Sequence, residues 1–321
     1  MDRTRLYSRL LRKFLTAFAS IAIFGGLLFL GIRSFHPARA WMPDPDPARA
    51  LTALSSYALH EALTDLEKTA PAEGANIVPF CLTVDRSGTL HFVDACAAFY
   101  MAYPKHERCA LQNLNRSDWD AEILSVDPKK ILGPLKEMMA KVGCHRLLLD
   151  FESIHEKDRD QFSSWVRKFS DELHRNDPAF RLSIAVHAKT NDAGSWEGAA
   201  AQDWGKLCGS SDELILMTYD YHFPGVTKPG EAAPIDWVKK VLEYAVKKCT
   251  RDHLRVGLAA YGYDWKTKAI LTEREAVRDG KSPDENFIET TEKRREKSTL
   301  AESMGISRTF LWAAGMARPK K

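Results

Sequence analysis

The run Leu147-Leu148-Leu149-Asp150-Phe151-Glu152 constrains this chain more than any other. Three leucines followed by alternating acids and an aromatic residue read as a buried strand. Residues two apart on a strand point to the same face, so Asp150 and Glu152 share a face with Leu148, while Leu147, Leu149 and Phe151 take the other. A strand apolar on both faces is typical of a parallel sheet covered by helices. Acids at the C-terminal end of such a strand stand where these folds keep their chemistry. Two close carboxylates also raise each other's pKa, which holds one protonated near neutral pH and makes a general acid with a supporting partner.

The strand sits within a longer alternation of strand and helix patterns. Strand candidates fall at residues 55–60, 76–84, 108–113, 145–151, 181–188, 213–219, 253–261 and 309–312. Helical patterns fall at 61–69, 128–141, 158–175, 198–207, 234–248 and 274–304. The helix from Pro128 has Asp127 as its expected N-cap and proline at its first position. Eight strand candidates, most followed by helices, predict a parallel α/β sheet, and the 321-residue length suits a (β/α)₈ TIM barrel plus an extension. A doubly wound sheet is weakened because no glycine-rich phosphate turn follows the first strands.

The N-terminus reads separately. Residues 1–13 are basic, with Arg3, Arg5, Arg9, Arg12 and Lys13, and precede an uncharged apolar run over 14–32. That run approaches the ~20 residues needed to cross a bilayer, and its cationic flank favours the cytoplasmic side. A transmembrane signal anchor is favoured over a signal peptide cleaved after Ala40. Residues 33–52 form a proline-rich spacer, and 53–321 the expected barrel, exported to the extracytoplasmic side. The net charge of +3 and the absence of a basic stripe speak against nucleic acid as a partner. Six cysteines in an exported chain permit disulfides. Cys96 with Cys109, and Cys208 with Cys249, are the pairings considered, with buried free thiols the alternative. No C-x-x-C or zinc-like spacing is present, so neither a metal nor a cofactor is expected.

The predicted strand ends carry a second set of polar and aromatic residues. After the sixth candidate come Tyr219, Asp220 and His222; after the seventh, Tyr261, Tyr263 and Trp265; at the eighth, Trp312. A closed barrel gathers such ends on one face. Carboxylates among aromatic rings suit glycoside hydrolysis, which needs a raised-pKa acid to protonate the leaving oxygen.

Five ordered segments carry a family resemblance: Leu149-Asp150-Phe151-Glu152, Met217-Thr218-Tyr219-Asp220, residues 229–237, residues 257–265, and Phe310-Leu311-Trp312. Together they resemble glycoside hydrolase family 18, and within it the bacterial peptidoglycan-active branch. The resemblance implies that Glu152 protonates the glycosidic oxygen, Asp150 orients the substrate acetamide, Tyr219 hydrogen-bonds it, and Trp312 floors the sugar site. It implies a retaining, substrate-assisted mechanism in which the acetamide is the nucleophile, one of the exceptions to the two-carboxylate scheme. Asp220, His222, Tyr261, Tyr263 and Trp265 are substrate-binding candidates. One departure stands out: the family usually has polar residues earlier on the acidic face of this strand, where this chain has His145 and Leu148. The expected partner is therefore an amino-sugar polysaccharide. The competing classes are a non-hydrolytic sugar-binding module and an envelope scaffold.

Overall fold

The computed structural model describes residues 50–54, 77–93, 108–113, 122–282 and 285–317, with Ala62, Cys96 and Phe99 besides. Contacts divide the chain into Met1–Met42 and Pro43–Lys321. The anchor candidate at 14–32, the spacer before Ala50, the strand candidate at 55–60 and all of the helix candidate at 61–69 but Ala62 lie outside the described residues. Among the described residues no helix is long and apolar enough to cross a membrane.

The first strand among the described residues is β1 (Leu51–Leu54). It is followed by β2 (Ile77–Pro79), β3 (Leu82–Val84), β4 (Leu90–Phe92) and β5 (Arg108–Asn113). Then come α1 (Pro128–Val142), β6 (Arg146–Asp150), α2 (Arg159–Asn176), β7 (Arg181–His187), α3 (Glu197–Ala201), α4 (Trp204–Cys208) and β8 (Glu213–Met217). The chain continues through α5 (Ile235–Lys248), β9 (Leu254–Ala259), β10 (Tyr261–Asp264), β11 (Ala269–Thr272), α6 (Glu273–Arg278), α7 (Thr291–Ser303) and β12 (Thr309–Trp312). As predicted, Asp127 caps α1, accepting from the Lys129 N–H at 3.0 Å, with Pro128 opening the helix.

The main sheet has ten strands in the order β2-β1-β12-β9-β8-β7-β6-β5-β3-β4. Every pairing in it is parallel except β3 with β4. It curls, with helices packed outside, in a TIM-barrel-like manner. One segment, residues 77–84, reaches both ends of the curl: β2 pairs with β1, and β3 pairs with β5.

The period-two reading of the acidic strand holds. Leu147, Leu149 and Phe151 enter the core between sheet and helices, beside Ile131 and Leu135 of α1 and Phe162, Trp165 and Phe169 of α2. Trp165 stacks on Phe151 at 5.5 Å and on Phe169 at 5.1 Å. Leu148 faces the other way, into an interior cluster with Ala110, Ala185, Ile215 and Phe310. Burying each large apolar side chain is worth roughly 1.5–3 kcal/mol, so these two layers dominate the fold's stability.

At the N-terminal end of the sheet a buried carboxylate gathers three guanidiniums. Glu213 accepts from Arg255 Nε at 3.0 Å and Arg308 Nη1 at 3.2 Å, with Arg108 Nη1 at 3.9 Å. Ser183 Oγ donates to its second oxygen at 3.1 Å.

All six cysteines are paired. Cys208–Cys249 matches the pairing considered from sequence, but Cys96 bonds Cys81 and Cys109 bonds Cys144. Parallel register corrects the Cys96–Cys109 expectation. Cys109 of β5 faces the helix layer, where Cys144, at the entry to neighbouring β6, meets it. Two further differences concern the later chain. The stretch after Ala259 turns into an antiparallel hairpin of β10 with β11, and the helical region from 274 to 304 is broken between α6 and α7.

Candidate active site

Asp150 is the last residue of β6 and is 2% exposed. Its Oδ2 accepts from Gln112 Nε2 of β5 at 2.9 Å, while Oδ1 is buried with no hydrogen-bond partner. Burial pushes this carboxyl up to about 6, against the Gln112 bond, which lowers it. Glu152, two residues on, is partly buried on the same side. Its backbone N–H donates to Asn113 Oδ1 at 3.3 Å. Desolvation raises its carboxyl well above the ordinary range, and the charges of Asp150 and Asp220 raise it further. Both carboxyls of this close pair are raised, Asp150 by burial and Glu152 by burial and by its acidic neighbours, which favours the proton-holding form a general acid needs.

The loop carrying Glu152 is tied to the end of β7. Gln202, wholly buried, donates from Nε2 to the Phe151 carbonyl at 3.2 Å and accepts the His187 N–H at 2.6 Å. His187 Nε2 lies 3.1 Å from the Glu152 carbonyl oxygen and 4.0 Å from Oε2. Burial holds this imidazole down near pKa 4, so it is neutral at pH 7.

The opposite wall comes from β8 and the hairpin. Tyr219 follows β8, and glycine at 257 makes room for it: a Cβ there would lie 3.1 Å from the Tyr219 ring and 2.5 Å from the Leu216 carbonyl oxygen. Desolvation, then the charges of Glu152, Asp150 and Asp220, keep the Tyr219 hydroxyl protonated. Asp220 adopts a left-handed backbone (φ 61°), and its Oδ1 accepts from both Tyr261 and Tyr263 hydroxyls at 2.7 Å. Desolvation raises Asp220 too, and those two bonds oppose the rise. Trp312, from β12, stands edge-on to Phe80 at 4.8 Å.

Both acids, His187, Tyr219, Asp220, the hairpin tyrosines and Trp312 line one cavity of about 880 Å³, within the size range of small-molecule clefts. Of the residues expected from sequence, Asp150, Glu152, Tyr219, Asp220, His222, Tyr261, Tyr263 and Trp312 all reach its wall. Trp265 does not. It packs beside Tyr263 at 6.1 Å, outside the lining. Trp237 packs against the helix-side core, touches Tyr221 at 5.0 Å and also lines the cavity.

Sequence reasoning missed Gln112, Asn113, His187 and Trp196. The first three end strands, so the rule that singled out Asp150 would have found them. Trp196 had no such signal. It is 51% exposed on the cavity wall and meets His187 at 4.5 Å. Its ring occupies the space over Gly198, where a Cβ would come within 2.3 Å of it.

A family model for the glycosyl hydrolases family 18 matches residues 128–313, more than half of the chain. The chain belongs to glycosyl hydrolases family 18. The matched span takes in β6 with both acids, Tyr219 and Asp220, the hairpin tyrosines and Trp312. The cortical fragment-lytic enzyme of Bacillus subtilis is 28% identical over 158 residues, 48% of this chain and 36% of that one. Across the first three curated relatives this chain spans between 31% and 40% of their length. Among solved structures, a chitinase from Chromobacterium violaceum superposes with a TM-score of 0.71 at 20% identity, covering 84% of this chain and 95% of that one. The Bacillus cereus spore cortex-lytic enzyme SleL superposes at 0.69 and 20% identity, covering 84% and 71%. At such identities the structural matches speak for the fold. Within this family-18 chain the apolar Leu148 lies where the strand's acidic face continues inward, and the amide of Gln112 meets Asp150 from the side.

Proposed function

We propose that this family-18 chain hydrolyses β-linked N-acetylglucosamine polymers, with an envelope glycan such as peptidoglycan as substrate, by a retaining, substrate-assisted mechanism on a closed (β/α)₈ barrel. The observation that carries the reading is the placing of Glu152, its carboxyl raised by burial and by neighbouring acids, with Asp150, Tyr219 and Trp312 on the wall of one cavity. Glu152 gives its proton to the glycosidic oxygen as the bond to the anomeric carbon breaks, and the bond's electron pair leaves with that oxygen. The acetamide oxygen of the same sugar bonds to the anomeric carbon, while Asp150 takes the acetamide N–H and the Tyr219 hydroxyl donates to the acetamide oxygen. Water then attacks the anomeric carbon as its bond to the acetamide oxygen breaks and the electron pair returns to the acetamide, and the water yields its proton to the Glu152 carboxylate, which restores the acid. Asp220 and the Tyr261 and Tyr263 hydroxyls bind sugar hydroxyls.

Export supports the same substrate class. Six cysteines in three disulfides suit an oxidising compartment. We assign the catalytic domain to the extracytoplasmic side, anchored through residues 14–32 or secreted after cleavage. Pairing of segment 77–84 at both ends of the sheet supports closure of the barrel.

Digestion of purified peptidoglycan and of chitin oligomers, with products weighed by mass spectrometry, tests the proposal. Products with an N-acetylglucosamine reducing end, lost in Glu152→Gln, are expected, and oligomers lacking the 2-acetamido group should stay intact. A wild-type enzyme that binds these glycans and cleaves none would make the chain a sugar-binding module.

A further inference from the structure

Asp150 stands on an apolar floor. Leu148 lies below it on its own strand, and Ala110 and Ala185 of the flanking strands belong to the same interior cluster. None of these side chains offers a hydrogen bond, and a buried carboxylate without partners is strongly disfavoured. Relief comes from one direction. Parallel register sets Gln112 of β5 directly beside Asp150 of β6, and Gln112 Nε2 donates to Oδ2 at 2.9 Å. Among the described residues Gln112 is the only side chain hydrogen-bonded to Asp150, and Oδ1 is left buried and unpartnered. The next residue, Asn113, is 4% exposed and accepts the Glu152 N–H at 3.3 Å. The strand end Gln112-Asn113 thus holds both acids, one by its carboxyl and the other by its backbone.

We infer that Gln112 is the positioning residue for Asp150: its amide fixes Oδ2 and reserves Oδ1 for the acetamide N–H of the substrate. The inference rests on the hydrolytic reading above and names the residue that makes it possible with leucine at 148. A carboxylate beneath Asp150 would share its proton and change charge with it. An amide does neither, since it only donates here, so Asp150 titrates against Glu152 without a third acid below. The geometry also divides the two oxygens of Asp150 between protein and substrate, which a freely rotating carboxylate would not do.

Two substitutions separate positioning from mere packing. Gln112→Ala removes a hydrogen bond to a charged group, so kcat should fall about tenfold to a hundredfold, with KM moving by less than about threefold. Gln112→Glu keeps the shape. Protonated, the introduced carboxyl donates to Asp150 as the amide does; ionised, it repels. Activity of this variant should therefore approach wild type at acid pH and collapse as pH rises, whereas a packing role predicts a pH profile parallel to wild type. A readout independent of turnover is the ¹³C carboxyl titration of Asp150 in the full chain. Its midpoint should move up in Gln112→Ala, because the bond that favours the ionised form is gone. An unmoved midpoint, or a Gln112→Glu profile parallel to wild type, overturns the inference. Absence of wild-type cleavage on every glycan would overturn the hydrolytic reading instead, and the titration would still decide the role of Gln112.

Discussion

The His187 imidazole lies 3.1 Å from the Glu152 carbonyl oxygen and 4.0 Å from its carboxylate, while itself remaining neutral. A neutral neighbour does not oppose the upward shift of the Glu152 carboxyl, where a cation would pull it down. Replacement by leucine removes the donor to that carbonyl. An unsatisfied buried carbonyl costs about 1–3 kcal/mol, so His187→Leu should lower the unfolding free energy by that amount and kcat several-fold, while His187→Gln retains most of both. Urea titration and initial rates check this, and equal values for both variants would refute it. Because burial depresses this imidazole to about 4, its neutral burial becomes a growing liability as pH falls from its ordinary 6.5 towards 4.

Glu152 and Asp150 should be separable by pH. Turnover needs Glu152 protonated, so the alkaline limb of kcat/KM should lie above the ordinary carboxylate range, as the raised Glu152 carboxyl requires. In Asp150→Asn the neighbouring charge that helps raise Glu152 is lost, and the alkaline limb should move to lower pH. A limb that stays in place in Asp150→Asn would exclude Glu152 as the titrating acid.

If the cavity binds a glycan as proposed, Trp196 is placed to stack on a sugar of a longer chain. It is solvent-exposed on the cavity wall, seated over Gly198 and against His187. Trp196→Ala should raise KM for long oligomers roughly fivefold, about 1 kcal/mol of aromatic contact, and leave the shortest substrates unaffected. Gly198→Ala should act in the same direction, because the new methyl displaces the ring. Equal KM changes for short and long substrates would remove Trp196 from the binding path.

Where one strand's own pattern decided the outcome, the sequence was readable. Alternation alone puts Asp150 and Glu152 on the face opposite Leu149, and residues 108–113 and 309–312 fall within the strand bounds read from them. Relationships between strands were not readable. That Gln112 meets Asp150, 38 residues away, follows from register, and so does the pairing of Cys109 with Cys144. The hairpin escaped for a different reason. Tyr261-Gly262-Tyr263 continues the β pattern of β9 without a turn residue at Ala260, so nothing local marks the change of partner. The break between α6 and α7 was also passed over by the helix read across 274–304, although Gly280, with φ 64° in the structure, is a residue suited to leaving a helix.

Glu213 tests the opposite end of the sheet from the chemistry. Its carboxylate is 3% exposed, bonded to Arg255 and Arg308 and close to Arg108. Despite burial, those guanidiniums hold it down at about 2. Glu213→Gln leaves buried cations without their carboxylate, and breaking such a cluster from one side costs about 3–5 kcal/mol. Folded-state depression of an acid contributes stability that is full above its unfolded value of about 4.5 and lost as pH falls through 4.5 towards 2. Wild type should therefore lose unfolding free energy steeply over that window, while Glu213→Gln starts lower and shows a shallower slope. Urea unfolding of both proteins between pH 2 and 6 measures the difference, and parallel pH curves would show that Glu213 does not carry the acid sensitivity of the fold.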